Sequence, residues 1–126
     1  MNQEIKKLWV NALRSGNYRQ GKYMLHNISE NAYCCLGVLC DIALKNIQIK
    51  TVIVESKKSP DKYMVFGDNQ NKQFLPQEIV LWAGIKDNPE MLITDAYFDR
   101  LVAITDLNDY TEYNFSQLAD LIEAQL

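Results

Sequence analysis

The chain has 126 residues, 48% of them hydrophobic, and a formal net charge of −3. This length suits one domain with a buried core, and the apolar share argues against a disordered chain. No apolar run approaches the roughly 20 residues a membrane-spanning helix needs, and the polar-studded start MNQEIKKLWVNAL does not read as a signal peptide; the expectation is a single cytoplasmic domain over residues 1–126, without membrane contact.

The first predicted element is a helix. Asn2 can cap it, and Ile5, Leu8, Trp9, Ala12 and Leu13 recur on one face at helical spacing. Gly16 suits its C-terminal end. Residues 15–22 (SGNYRQGK) read as a polar loop, with residues 23–27 and 31–34 as short paired strands beyond it. A second helix is expected from about Cys35 to Leu44, with Leu36, Leu39, Cys40 and Ala43 on its apolar face and Asn46 closing it. Residues 48–54 (QIKTVIV) are β-branched and read as a strand. A turn at 56–62, a strand at 63–66 and a turn at 67–72 complete a meander. Pro76 then opens a short helix whose apolar residues are Ile79, Val80, Leu81 and Trp82, and Gly84 stops it. A loop is expected at 87–89 and a strand at 91–94, while residues 97–106 suit helix and strand alike. Asn114 and Gln117 form a capping-box pattern ahead of a last helix with Phe115, Leu118, Leu121, Ile122 and Leu126 on one stripe. Helices and strands do not alternate regularly, so the fold class is α+β: a small antiparallel sheet or meander packed with about four helices.

Four blocks recur together as a recognisable set: Trp9–Gly21 (WVNALRSGNYRQG), Tyr33–Asp41 (YCCLGVLCD), Leu75–Gly84 (LPQEIVLWAG), and Leu107–Asp109 (LND) with Phe115–Glu123 (FSQLADLIE). In this order they resemble a family of short, functionally unassigned proteins carried by tailed bacteriophages and prophages. The resemblance implies an accessory viral protein acting in a bacterial cytoplasm. It assigns no reaction and no catalytic residue.

Several constellations can carry chemistry. Arg14, Tyr18, Arg19 and Lys22 lie in or beside the glycine-bearing loop, where arginine forks and backbone amides suit an anion and a tyrosine ring suits a base. The loop matches neither a P-loop nor a dinucleotide fingerprint. Cys34 or Cys35 at a helix start can be a thiolate nucleophile, and His26 is the one histidine available as a base. Burial of these cysteines in a core segment is the competing reading. The C-C-x4-C spacing does not suit zinc, and three cysteines, two of them adjacent, do not suit a disulfide framework; no metal and no cofactor is expected.

Charge is uneven along the chain. Residues 1–85 carry 11 Lys and Arg against 7 Asp and Glu, and residues 86–126 carry 2 against 9. The acidic set Asp95, Asp99, Asp106, Asp109, Glu112, Asp120 and Glu123 can meet a basic partner surface or be a solvated face. Tyr110 and Tyr113 read as loop tyrosines at an interface, whereas Trp9 and Trp82 read as core. The leading expectation is a phage accessory protein that binds a host factor and blunts an antiviral defence. A binder that takes up an anionic nucleotide signal is the second, and a small cysteine-dependent enzyme the third. Direct nucleic-acid binding is not expected, and the charge split with the exposed tyrosines suits a homodimer.

Overall fold

The computed structural model describes residues 1–68, 72–86, 91–95, 97 and 99–126. Helix α1 is Gln3–Arg14. Asn2 precedes it in extended backbone, and its side chain accepts a hydrogen bond from the Ile5 N–H. That satisfies one of the amides a helix start leaves orphaned. Gly16, at φ +77°, turns the chain away just beyond the Ser15 cap. The buried face is Ile5, Trp9, Val10 and Leu13, whereas Leu8 is 48% exposed. The stripe is thus turned by about one position from the expected one, because α1 packs against two helices rather than one sheet.

Five strands follow one another through the first half of the chain: β1 Arg19–Gln20, β2 His26–Asn27, β3 Ala32–Tyr33, β4 Thr51–Ser56 and β5 Ser59–Phe66. They form one sheet in the order β1-β3-β2-β5-β4. All neighbours are antiparallel except β1 and β3, which run parallel. The sheet is therefore mixed, and part of the expected polar loop is a strand. Gly21 explains the pairing. Its amide donates to the Tyr33 carbonyl at 2.7 Å, and a Cβ there would lie 2.9 Å from the Ala32 methyl. The β4–β5 turn is shorter than expected, and β5 runs through Pro60. Proline is tolerated there because it lies at the start of the strand beside an irregularity between Val54 and Ser56. β4 is an outer edge with Val52 and Ile53 exposed.

Helix α2, Cys35–Leu44, has the expected bounds but is not amphipathic in the expected way. Cys35, Leu36, Gly37, Val38, Leu39, Cys40, Ile42 and Ala43 are all buried. A helix apolar on nearly all sides belongs in the centre of a domain. Its N-terminal turn crosses the Leu25 backbone so closely that a Cβ on Gly37 would lie 1.6 Å from the Leu25 carbonyl oxygen. Trp9, fully buried, donates its indole N–H to the Cys35 carbonyl at 2.9 Å.

Helix α3 is Gln77–Ala83, with Pro76 at its N-cap and Gly84 left-handed at φ +63° after it. Ile79, Val80 and Ala83 are buried, but Leu81 is exposed and Trp82 only partly covered. The hairpin β6 Leu92–Asp95 and β7 Arg100–Ala103 leads into helix α4, Ile104–Tyr110. Within the ambiguous stretch 97–106, residues 100–103 are strand and residues 104–106 begin a helix. Helix α5, Phe115–Gln125, begins with both reciprocal bonds of the Asn114–Gln117 capping box. It buries Phe115, Leu118, Ala119 and Ile122, while Leu121 and Leu126 pack only at the margin. The expected turn at 67–72 lies partly, and the loop at 87–89 wholly, outside the described residues. One apolar cluster joins the five helices to Phe66 and Ile93, and each fully buried Leu, Ile or Phe in it contributes roughly 1.5–3 kcal/mol.

Candidate functional site

The cysteine segment forms part of the core. Cys35 and Cys40 are fully buried, and Cys34 is 3% exposed at the N-cap of α2. Burial pushes the Cys34 thiol up to about 12 and raises the other two well above the ordinary thiol value. Desolvation outweighs the backbone amides at the helix start, so the thiols stay protonated at neutral pH. Cys35 points its sulfur at the Ile104 carbonyl, and Cys34 lines a small pocket. His26 stacks on Tyr33 with ring centroids 4.0 Å apart, and its Nε2 meets the Asn31 side-chain oxygen at 3.4 Å. Burial lowers its pKa. Among the described residues no side-chain hydrogen bond joins His26 to a cysteine.

The loop cations do not converge. Arg14 turns back across the fold to Asp120 and to Glu123, the latter at 2.9 Å. Its guanidinium is held charged and the Glu123 carboxyl is pulled down. The α1–α5 contact thus joins the basic half of the chain to the acidic half internally. Arg19 lies exposed on β1, its fork 3.4 Å from the Glu30 carbonyl. Lys22 stands elsewhere, beside Asp109. A three-cation anion site is therefore not formed, because Arg19 lies on β1 and Lys22 lies beyond its end in different surroundings.

What the loop does form is one wall of an open groove of about 1080 Å³ between the C-terminal end of α1, β1, residues 30–33 and the C-terminal half of α2. Tyr18 and Tyr33 meet in it edge to face, 5.1 Å between centroids. The Tyr18 hydroxyl donates to Asp41, and burial together with that bond raises its pKa. Lys45 approaches the same carboxylate at 3.5 Å, one helical turn on. Arg19 and Lys45 face Glu30 and Asp41, so the ionic lining balances. Asn11, Asn17, Asn31 and Asn46, with Ser15 and Gly16, supply most of the remaining wall.

The acidic residues are not one solvated face. Asp95 is 1% exposed and accepts from the Tyr113 hydroxyl at 2.8 Å and the Tyr97 amide at 2.9 Å. Tyr113 is thereby tied down rather than free at an interface, and the bond to Asp95 raises its pKa. Tyr110 ends helix α4 instead of lying in a loop; it is 70% exposed, with its ring 5.6 Å from that of Tyr23.

Asn108, which sequence reasoning passed over, is fully buried and has every polar atom engaged. Its oxygen accepts from Gln20 Nε2 at 3.0 Å and the Cys35 amide at 3.3 Å. Its nitrogen donates to the Gly21 carbonyl at 2.9 Å and Asp109 Oδ1 at 2.8 Å. One side chain thus joins β1, α2 and α4. The only signal for it was an amide next to Leu107 within the LND block.

Among the described residues no helix is long and apolar enough to cross a membrane. Neither the curated proteins nor the solved structures include a match to this chain. A family model, described as "Domain of unknown function (DUF8296)", matches residues 1–126, and the chain belongs to that family.

Proposed function

We propose that this is a phage accessory protein that binds a host protein through the groove between α1, β1 and α2, acts in the bacterial cytoplasm, and blunts a host defence. The observation that carries the binding part is the groove's lining. Two tyrosines, four asparagines, a serine and a glycine share the lining with two cations, Arg19 and Lys45, and two carboxylates, Glu30 and Asp41. Rigid aromatic rings with short, adaptable amides are the composition of protein-binding surfaces such as antibody paratopes. The Tyr18–Asp41 bond and the Tyr18–Tyr33 contact hold the aromatic part in place before any partner arrives, which limits the ordering cost of association. The phage context rests on the resemblance of the sequence blocks alone.

Tyr18, Arg19 and Lys45 sharing one groove is the observation that favours the nucleotide reading. Glu30 and Asp41 oppose it, since a polyphosphate gains little where carboxylates cancel the cations. The experiment is affinity capture from a bacterial host lysate with the wild-type protein and with Asn11→Arg and Asn17→Arg. Both positions are exposed. A discrete host protein retained by the wild type and lost with both variants is the expected result. Equal capture by all three, or a thermal shift with nucleotides and no captured protein, overturns the reading.

A further inference from the structure

A second, smaller concavity lies outside the groove and shares no lining residue with it. It measures about 230 Å³, and its walls include Tyr23, Phe74 and Tyr110 together with Asp106 and Asp109. We propose that this pocket receives the guanidinium of an arginine presented by a partner protein, stacked on the exposed Tyr110 ring and paired with the two carboxylates.

The rings are exposed although their sizes favour burial: Tyr23 and Phe74 are each 44% exposed and Tyr110 is 70% exposed. Tyr23 and Tyr110 stand 5.6 Å apart and tilted by 57°, the spacing of a direct ring contact, so a ligand meets their exposed surfaces and not a gap between them. The faces of such rings carry negative potential and attract a planar cation. Tyr23 takes its place through left-handed backbone at φ +70°, uncommon for a bulky residue. Its amide is held there by Asp109 Oδ1 at 3.1 Å. That same oxygen also accepts from Asn108, while Oδ2 has no hydrogen-bond partner among the described residues. Asp106 and Tyr110 lie one turn apart on α4 and therefore on one face. Two carboxylates and aromatic faces are complementary to a guanidinium, which binds carboxylate through its fork and stacks on aromatic rings. Lys22, beside Asp109 but outside the pocket lining, is the internal cation with which a ligand competes.

The test is an NMR titration of the full chain with N-acetyl-arginine methylamide at fixed ionic strength, with the uncharged citrulline analogue as control. Saturable shifts centred on the Tyr23 and Tyr110 rings are expected, with about tenfold weaker binding of the citrulline analogue. Asp106→Asn and Tyr110→Ala change exposed side chains; each is expected to weaken binding about tenfold with the rest of the spectrum unchanged. Lys22→Ala is expected to strengthen it. Equal binding of the citrulline analogue, or unaltered affinity in both Asp106→Asn and Tyr110→Ala, overturns the proposal. Because the groove is not involved, loss of this site leaves the captured-partner experiment interpretable by itself.

Discussion

The segment 33–41 and the loop 15–22 are the two most distinctive stretches of the sequence, and the fold treats them in opposite ways. The first is closed from Cys34 to Cys40. Its cysteines and glycine are explained by how tightly α2 threads through the core, where even one added methyl meets the Leu25 backbone. The second is open. Tyr18 bonds the Asp41 carboxylate, and Ser15 to Arg19 line an open groove. A distinctive motif is therefore not a sign of chemistry by itself. Steric demand at a helix crossing constrains residue choice as severely as a reaction does.

The largest expected effect lies in the closed region. Gly37→Ala is expected to cost at least about 4 kcal/mol or to prevent folding, since the clash is with backbone that cannot rotate away. Urea unfolding of the purified variant measures this, and near wild-type stability would show that α2 has room to move. Asn108→Ala is expected to cost about 2–3 kcal/mol, because it strands the Cys35 amide and the Gly21 carbonyl without partners.

Proton linkage probes the same closure. The Cys34 thiol ionises near 12 in the fold and near the ordinary thiol value of about 8.5 when unfolded. Above 8.5 the unfolded chain holds fewer protons than the fold, so stability falls as pH rises from there towards 12. The slope approaches about 1.4 kcal/mol per pH unit for each such thiol. Urea midpoints at pH 7.5, 9 and 10 under reducing conditions read it, and Cys34→Ala should flatten the decline. Iodoacetamide at pH 7.5 is the complementary measurement: all three cysteines should label slowly in the folded protein. Rapid labelling of Cys34 alone would break the contrast and reopen the thiol as a reactive group.

Smaller effects are expected in the open region. Tyr18→Phe removes one hydrogen bond to a half-buried carboxylate and is expected to cost about 1 kcal/mol, read by thermal unfolding. Arg14→Gln ranks last. Its ion pairs with Asp120 and Glu123 lie at the surface, so its effect on the melting temperature should be slight and should vanish at high salt.

Local signals marked the helices well. The Asn2 cap, the Pro76 start, the Gly84 stop and the Asn114–Gln117 capping box each act within a turn of backbone, so neighbours in sequence determine them. The segment 35–44 was also legible as a helix, and its cysteine spacing already spoke against zinc and against a disulfide framework. Contacts distant in sequence were not legible. Pairing of β1 with β3 depends on Gly21 meeting Ala32, and Arg14 reaches carboxylates more than a hundred residues away. Asp95 stood among the acidic residues of a possible solvated face and Asn108 carried no reading at all until the fold supplied their partners. Tertiary structure alone separated Lys22 from Arg19, placed Tyr110 beside Tyr23, and decided which cavity each side chain lines. Backbone hydrogen bonding is local and repeats along the chain, whereas a binding surface is made by side chains brought together from separate elements.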